Sequence, residues 1–157
     1  MKRWPSVRMT NPLHFLALGF GSGLAPKAPG TFGTLAAIPL VGLLSLTSVW
    51  FYLIFLVAGV IFGIYLCGVT AKAMGEHDHP AIVWDEIVGY AIAMFALPFE
   101  WPYIIASFLL FRLFDIAKPG PIGWADRQLT GGMSVMLDDV MAGIVSAAII
   151  HLGLILI

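Results

Sequence analysis

Charge is what this sequence holds least of. Asp, Glu, Lys and Arg make up 11% of its 157 residues, less than half their share in an average soluble domain. Residues 28 to 71 contain none, a stretch long enough for two membrane spans of about 20 residues each. With a net charge of -1, the chain lacks the basic surface that a nucleic-acid backbone requires, and nucleic-acid binding is excluded. Cysteine is nearly absent too. Cys67 is alone, which rules out an internal disulfide framework and a cysteine zinc site and leaves that residue a packing role. No internal repeat or low-complexity segment interrupts the chain, which reads as a single domain over residues 1–157.

Apolar residues, by contrast, make up 60% of the sequence. They gather into segments at 31–46, 49–71, 82–97, 102–117 and 138–157. These are too long and too uniformly apolar for barrel strands, and lipid requires backbone groups to be satisfied within each segment. The expected fold is therefore all-α: a polytopic helical membrane bundle of about four to five membrane helices, with a short N-terminal interfacial or re-entrant helix. The opening residues carry Lys2, Arg3 and Arg8, which hold that end in the cytoplasm. The apolar stretch behind them is short for a secretory signal, and no A-x-A cleavage pattern follows.

Counting crossings from a cytoplasmic N-terminus puts the opening loop and the loops at 72–81 and 118–137 on one face, with Glu100 the only charged residue on the other. Lys and Arg set orientation and acids add little, so the gathering of acids on the same face needs another cause. Trp4, Trp50, Trp84, Trp101 and Trp124 fall near segment ends, as interfacial anchors do.

The acids cluster in VWDEIVG (Asp85, Glu86), FRLFDIAKPGP (Asp115) and MLDDVMAG (Asp138, Asp139). One such group serves to cap a helix. Several converging on one face repel one another unless a cation lies among them, and oxygen-only ligands suit Mg2+, which takes phosphate as a further ligand. Arg112 and Lys118 flank Asp115, and Arg127 follows Asp126. Such bases hold phosphate oxygens, although Asp115 and Lys118, at i and i+3, also fit a simple ion pair on one helix face. The stretch GSGLAPKAPGTFG offers Gly21, Gly23, Gly30 and Gly33, with Thr31 or Thr34 to cap the following helix. It reads as a phosphate cradle at a helix N-terminus or as a re-entrant turn. GEHDHP has a zinc-like composition without fixed geometry, and leaves Asp78 as a further carboxylate. His151 reads as an interhelical hydrogen-bonding residue.

Together GFGSGLAPKAPGTFGTLAAIP, DHPAIVWDEIVG, FRLFDIAKPGPIGWADR and GGMSVMLDDVMAG cover most of residues 14 to 143. In that order and spacing they resemble the phosphatidylglycerophosphatase A family of bacterial membrane lipid phosphatases. The resemblance implies a Mg2+-dependent, all-helical enzyme of the bacterial inner membrane with its active site facing the cytoplasm. Its substrate would be a phospholipid of the bilayer, phosphatidylglycerol phosphate, whose terminal phosphate is removed to give phosphatidylglycerol. It also implies roles for particular residues. Asp85, Glu86, Asp115, Asp138 and Asp139 would be catalytic and metal-binding, with Asp78 a further metal ligand, and Asp126 belongs to the motif set. Arg112, Lys118 and Arg127 would bind the substrate phosphate, with Gly30, Thr31 and the accessory Lys27.

Either a water or a carboxylate serves as nucleophile in such chemistry, and the sequence leaves both open. A C-x5-R phosphatase would need Arg where Ala73 stands; the P-S-G-H, D-x-D and D-G-x-x-A-R strings of other lipid phosphatases and phosphotransferases are absent. The rival reading is a small channel or transporter subunit with an acidic cation site at the cytoplasmic face. It is separated by depth, because transport sites lie near mid-membrane.

Overall fold

The structure, a computed structural model, describes residues 6–156; Lys2, Arg3 and Trp4 lie outside the described residues. Among those described, every regular element is a helix. Helix α1 (Pro12–Ala17) opens where Asn11 Oδ1 accepts from the Leu13 N–H at 2.9 Å. A 3-10 turn (Gly19–Leu24) leads into α2 (Pro29–Ser45). Ser48 caps α3 (Val49–Met74), and Gly75, in the left-handed region, ends it. Then follow α4 (Trp84–Ala93), α5 (Trp101–Ala117), α6 (Pro121–Gln128) and α7 (Gly132–Leu156).

Helices α3 and α7 have 26 and 25 residues, or roughly 39 and 37 Å, enough to cross a hydrocarbon core of about 30 Å. They are the two described helices with both the length and the hydropathy of a membrane span, and α2, of 17 residues, is a shorter apolar helix. The expectation of about four to five spans thus resolves into two full-length candidates.

The segment expected to be helical over 82–97 is helical only over Trp84–Ala93. Side chains from its neighbours bond carbonyls at and just beyond that end. The Tyr52 hydroxyl donates to the Ala91 carbonyl at 2.8 Å, and His151 Nε2 donates to that of Phe95 at 3.0 Å. His151 thus ties α7 to the end of α4, the interhelical role expected of it. Beyond, Ala96 adopts φ +57° and the chain turns. The loop expected at 118–137 contains α6, which buries Ile122 and Ala125 and packs on α7.

Helices α4 and α7 cross almost backbone to backbone. A methyl group on Gly89 would lie 2.9 Å from the Asp139 carbonyl, and one on Gly143 would collide with the Gly89 carbonyl. In lipid, helix association rests on such close packing and on interhelical hydrogen bonds, so a β-branched residue at either position would force the pair apart. Tyr90, Phe111 and Met136 are fully buried around the crossing, as is Cys67, in keeping with its packing role. Trp50, Trp101 and Trp124 are exposed as interfacial anchors require. Trp84 is the exception: it is buried, and its indole N–H donates to the Gly59 carbonyl on α3 at 3.1 Å.

Candidate active site

The α4–α7 crossing sets the start of α4 beside α7 about two turns in from Gly132. There they meet the start of α2 and the end of α5 around a cavity of about 320 Å3. Asp85 and Glu86 enter it from the first turn of α4, whose N-cap is Val83 with no side-chain cap. Asp115 enters from the last turn of α5, and Asp138 and Asp139 enter from α7. Because α7 begins at Gly132, its first turn contains no acid. Asp138 and Asp139 therefore lie beyond the free amides that a capping carboxylate would satisfy. Asp78 also lines the cavity. A larger cavity, about 430 Å3, is walled by apolar residues such as Val57, Ile92 and Phe95 and contains no ionisable group.

The carboxylates are crowded. Asp85, Glu86 and Asp139 each present an oxygen within 4.8 Å of the others, and so do Asp115, Asp138 and Asp139. Asp85 Oδ1, Glu86 Oε2 and Asp139 Oδ1 are buried with no hydrogen-bond partner. Burying an unpaired carboxylate costs several kcal/mol, and three such carboxylates crowded together compound the cost unless a cation joins them. The donor set, all oxygen, fits a hard divalent ion such as Mg2+.

Two bases enter the same cavity. Arg112 Nη1 bonds Asp115 Oδ2 one turn along α5 and lies 3.8 Å from Glu86 Oε1, while its Nε has no partner and remains a donor for an anion. Lys118 ends α5 in the left-handed region at φ +44°. That backbone turn swings its side chain off the face it would share with Asp115. In place of the i, i+3 pair, Lys118 Nζ donates to Asp126 Oδ1 at 2.6 Å and to Asp138 Oδ2 at 2.7 Å. Burial alone would favour the neutral amine, but the bonds to Asp126 and Asp138 outweigh it and hold the Lys118 pKa above the usual lysine range. Lys118 therefore stays a cation at neutral pH.

Of the glycine-rich stretch, Gly30 reaches the cavity, beside Ala28 and Pro29. A methyl group at Gly30 would collide with Glu86 Oε1 and lie 3.1 Å from both Arg112 Nη atoms, so a side chain there would push the ends of Glu86 and Arg112 aside. Ala28, at φ 48°, is the N-cap of α2 and provides no side-chain cap, which leaves the positive end of that helix facing the acids. Gly23 and Gly33 instead accommodate Ala81 and Val83. Thr34 Oγ1 donates back to the Gly30 carbonyl at 2.9 Å. Thr31, half-buried, and the exposed Lys27 and Arg127 are not among the residues lining the cavity. The histidines of GEHDHP accept from backbone N–H groups, His77 from Gly131 at 2.7 Å and His79 from Ala81 at 3.0 Å.

Sequence reasoning missed Pro80, Ile82 and Ile116 of the lining. Apolar residues carry no chemical signal of their own, and only the step of one residue from Asp115 on α5 points to Ile116.

A sequence model of the family described as Phosphatidylglycerophosphatase A matches residues 15–154. An Escherichia coli protein named Phosphatidylglycerophosphatase A is 49% identical over 146 residues, covering 92% of this chain and 85% of its own. A Haemophilus influenzae protein of the same name is also 49% identical, over 92% of this chain and 90% of its own. A Bacteroides thetaiotaomicron protein, provisionally described as a phosphatidylinositol-3-phosphatase, is 40% identical over 86% of this chain and 89% of its own. No solved structure matches.

Proposed function

We infer from its membership of the phosphatidylglycerophosphatase A family, to which this chain belongs, that the protein is a lipid phosphatase. It hydrolyses the terminal phosphomonoester of phosphatidylglycerol phosphate to phosphatidylglycerol and inorganic phosphate. The observation that carries the mechanism is the set of unpartnered, buried oxygens of Asp85, Glu86 and Asp139 beside Arg112 and Lys118. Asp85, Glu86, Asp115, Asp138 and Asp139, with Asp78 at the edge, are the residues that would hold Mg2+. When bound, such an ion would supply polarisation of the phosphoryl oxygens and a water of lowered pKa. Arg112, through its unused Nε, and the cationic Lys118 grip the phosphate and stabilise the charge of the transition state. The uncapped start of α2 at Gly30 adds its dipole.

A phosphomonoester on a lipid lies at the membrane face, and Asp85, Glu86 and Asp115 lie in the end turns of α4 and α5 with Asp138 and Asp139 about two turns into α7, nearer its start than the mid-span where a transport site belongs. We place the protein in the bacterial inner membrane as a multi-pass chain, with α2, α4 and α5 accompanying α3 and α7 and the cavity facing the cytoplasm. Single cysteines introduced at 72–81 or 118–137 in a Cys67→Ser background are then expected to react from the cytoplasmic side alone. Labelling by an impermeant reagent from the periplasm would contradict this orientation.

Gly30→Ala is expected to displace Glu86 and Arg112, lowering turnover by about 10- to 100-fold with little change in melting temperature. An unaltered rate would remove the start of α2 from the substrate site. The reading as a whole is tested by phosphate release from the purified protein presented with phosphatidylglycerol phosphate, phosphatidylinositol 3-phosphate and phosphatidic acid. The first is expected to be hydrolysed fastest. Preference for the inositol lipid would replace the substrate, and release from none would remove the activity.

A further inference from the structure

The carboxylates fall into trios that share one member. Asp139 stands within 4.8 Å of Asp85 and Glu86 in one and of Asp115 and Asp138 in the other. It is 2% exposed, and its Oδ1 has no partner. Resting on the phosphatase reading above, we propose that Asp139 bridges two cation positions, one completed by Asp85 and Glu86 and the other by Asp115 and Asp138.

Charge favours two cations over one. Six carboxylates line the cavity against two cations, Arg112 and Lys118, and Lys118 is also shared with Asp126, which leaves four negative charges of the lining uncompensated. One divalent ion would leave the cavity anionic, and a phosphate monoester arriving as a dianion would be repelled. A second ion removes that negative charge and admits the anion. Paired cations about 3.5–4 Å apart also clamp the attacking and leaving oxygens of an in-line displacement, a spacing within reach of the two oxygens of one carboxylate. The positions are unequal. The free oxygens of Asp85 and Glu86 make the first the tighter, whereas Asp115 and Asp138 already face Arg112 and Lys118, so the second fills later.

The test uses the full-length protein in detergent with Mn2+ as the probe. Equilibrium dialysis gives the stoichiometry, and low-temperature electron paramagnetic resonance reports whether the ions are coupled. Two Mn2+ per chain at saturation, exchange-coupled, are expected. Asp115→Asn is expected to reduce this to one ion with an isolated six-line spectrum. One Mn2+ per wild-type chain, or two without coupling, would overturn the bridge even if no variant folds. Lipid phosphate release is assayed on the same preparation. Mg2+-supported release alongside a single Mn2+ would sink the bridge and keep the phosphatase; two coupled Mn2+ without release would do the reverse.

Discussion

Asp139→Asn is expected to lower kcat for lipid phosphate release by about 100-fold or more, while the metal-free protein melts no lower than the wild type. The amide keeps the shape of the side chain and removes its charge. Asp139 is the carboxylate common to both acidic trios, so that charge matters to every cation held there. Without a cation the neighbouring acids repel, and removing one negative charge relieves the folded state, a trade of stability for function seen at many active sites. A helix-capping role would give the opposite pattern, because Asn caps as well as Asp and turnover would stay within a few-fold. Asp85→Asn and Glu86→Gln belong to the same prediction, since both residues present unpartnered oxygens to the same space. Near-normal rates in all of these variants would remove the cavity from the chemistry, whatever the family.

Exhaustive chelation is expected to take phosphate release to background, and Mg2+ to restore it. Arg112 and Lys118 balance only part of the negative charge that the acids bring, so without a divalent ion the cavity repels the phosphate it must bind. The same ion should raise the melting temperature of the wild type, because it binds the folded site and not the unfolded chain. That shift should shrink in Asp139→Asn. Full turnover in the chelated protein would instead assign the chemistry to a metal-free route.

Much of this was legible in the sequence, for physical reasons. Uniformly apolar segments admit only helices in lipid, and α2 and α3 begin and end within a few residues of the expected bounds. Asp85, Glu86, Asp115, Asp138 and Asp139 could be gathered on one face because loop lengths and charge placement fix which helix ends share a side. What escaped depends on tertiary contacts. The short α4 ends where side chains from α3 and α7 take up carbonyls, and hydropathy does not register this. Helix α6 hides behind Pro119, Gly120 and Pro121, which read as loop until Ile122 and Ala125 find α7. The partners of Lys118 follow from one left-handed residue at the end of α5, which broke the helical spacing that pointed to Asp115. The glycines of the opening stretch looked alike in sequence, but Gly30 meets Glu86 and Arg112 whereas Gly23 and Gly33 meet Ala81 and Val83.

Phosphate release from phosphatidylglycerol phosphate, measured against Mg2+ concentration for purified wild-type protein and Asp139→Asn side by side, tests most directly whether these carboxylates work through a cation. A saturable rise from background is expected in the wild type, and a nearly flat response, about 100-fold lower at saturation, in a variant that remains inserted and folded. Release that persists without Mg2+, or a variant curve within a few-fold of the wild type, would contradict that role.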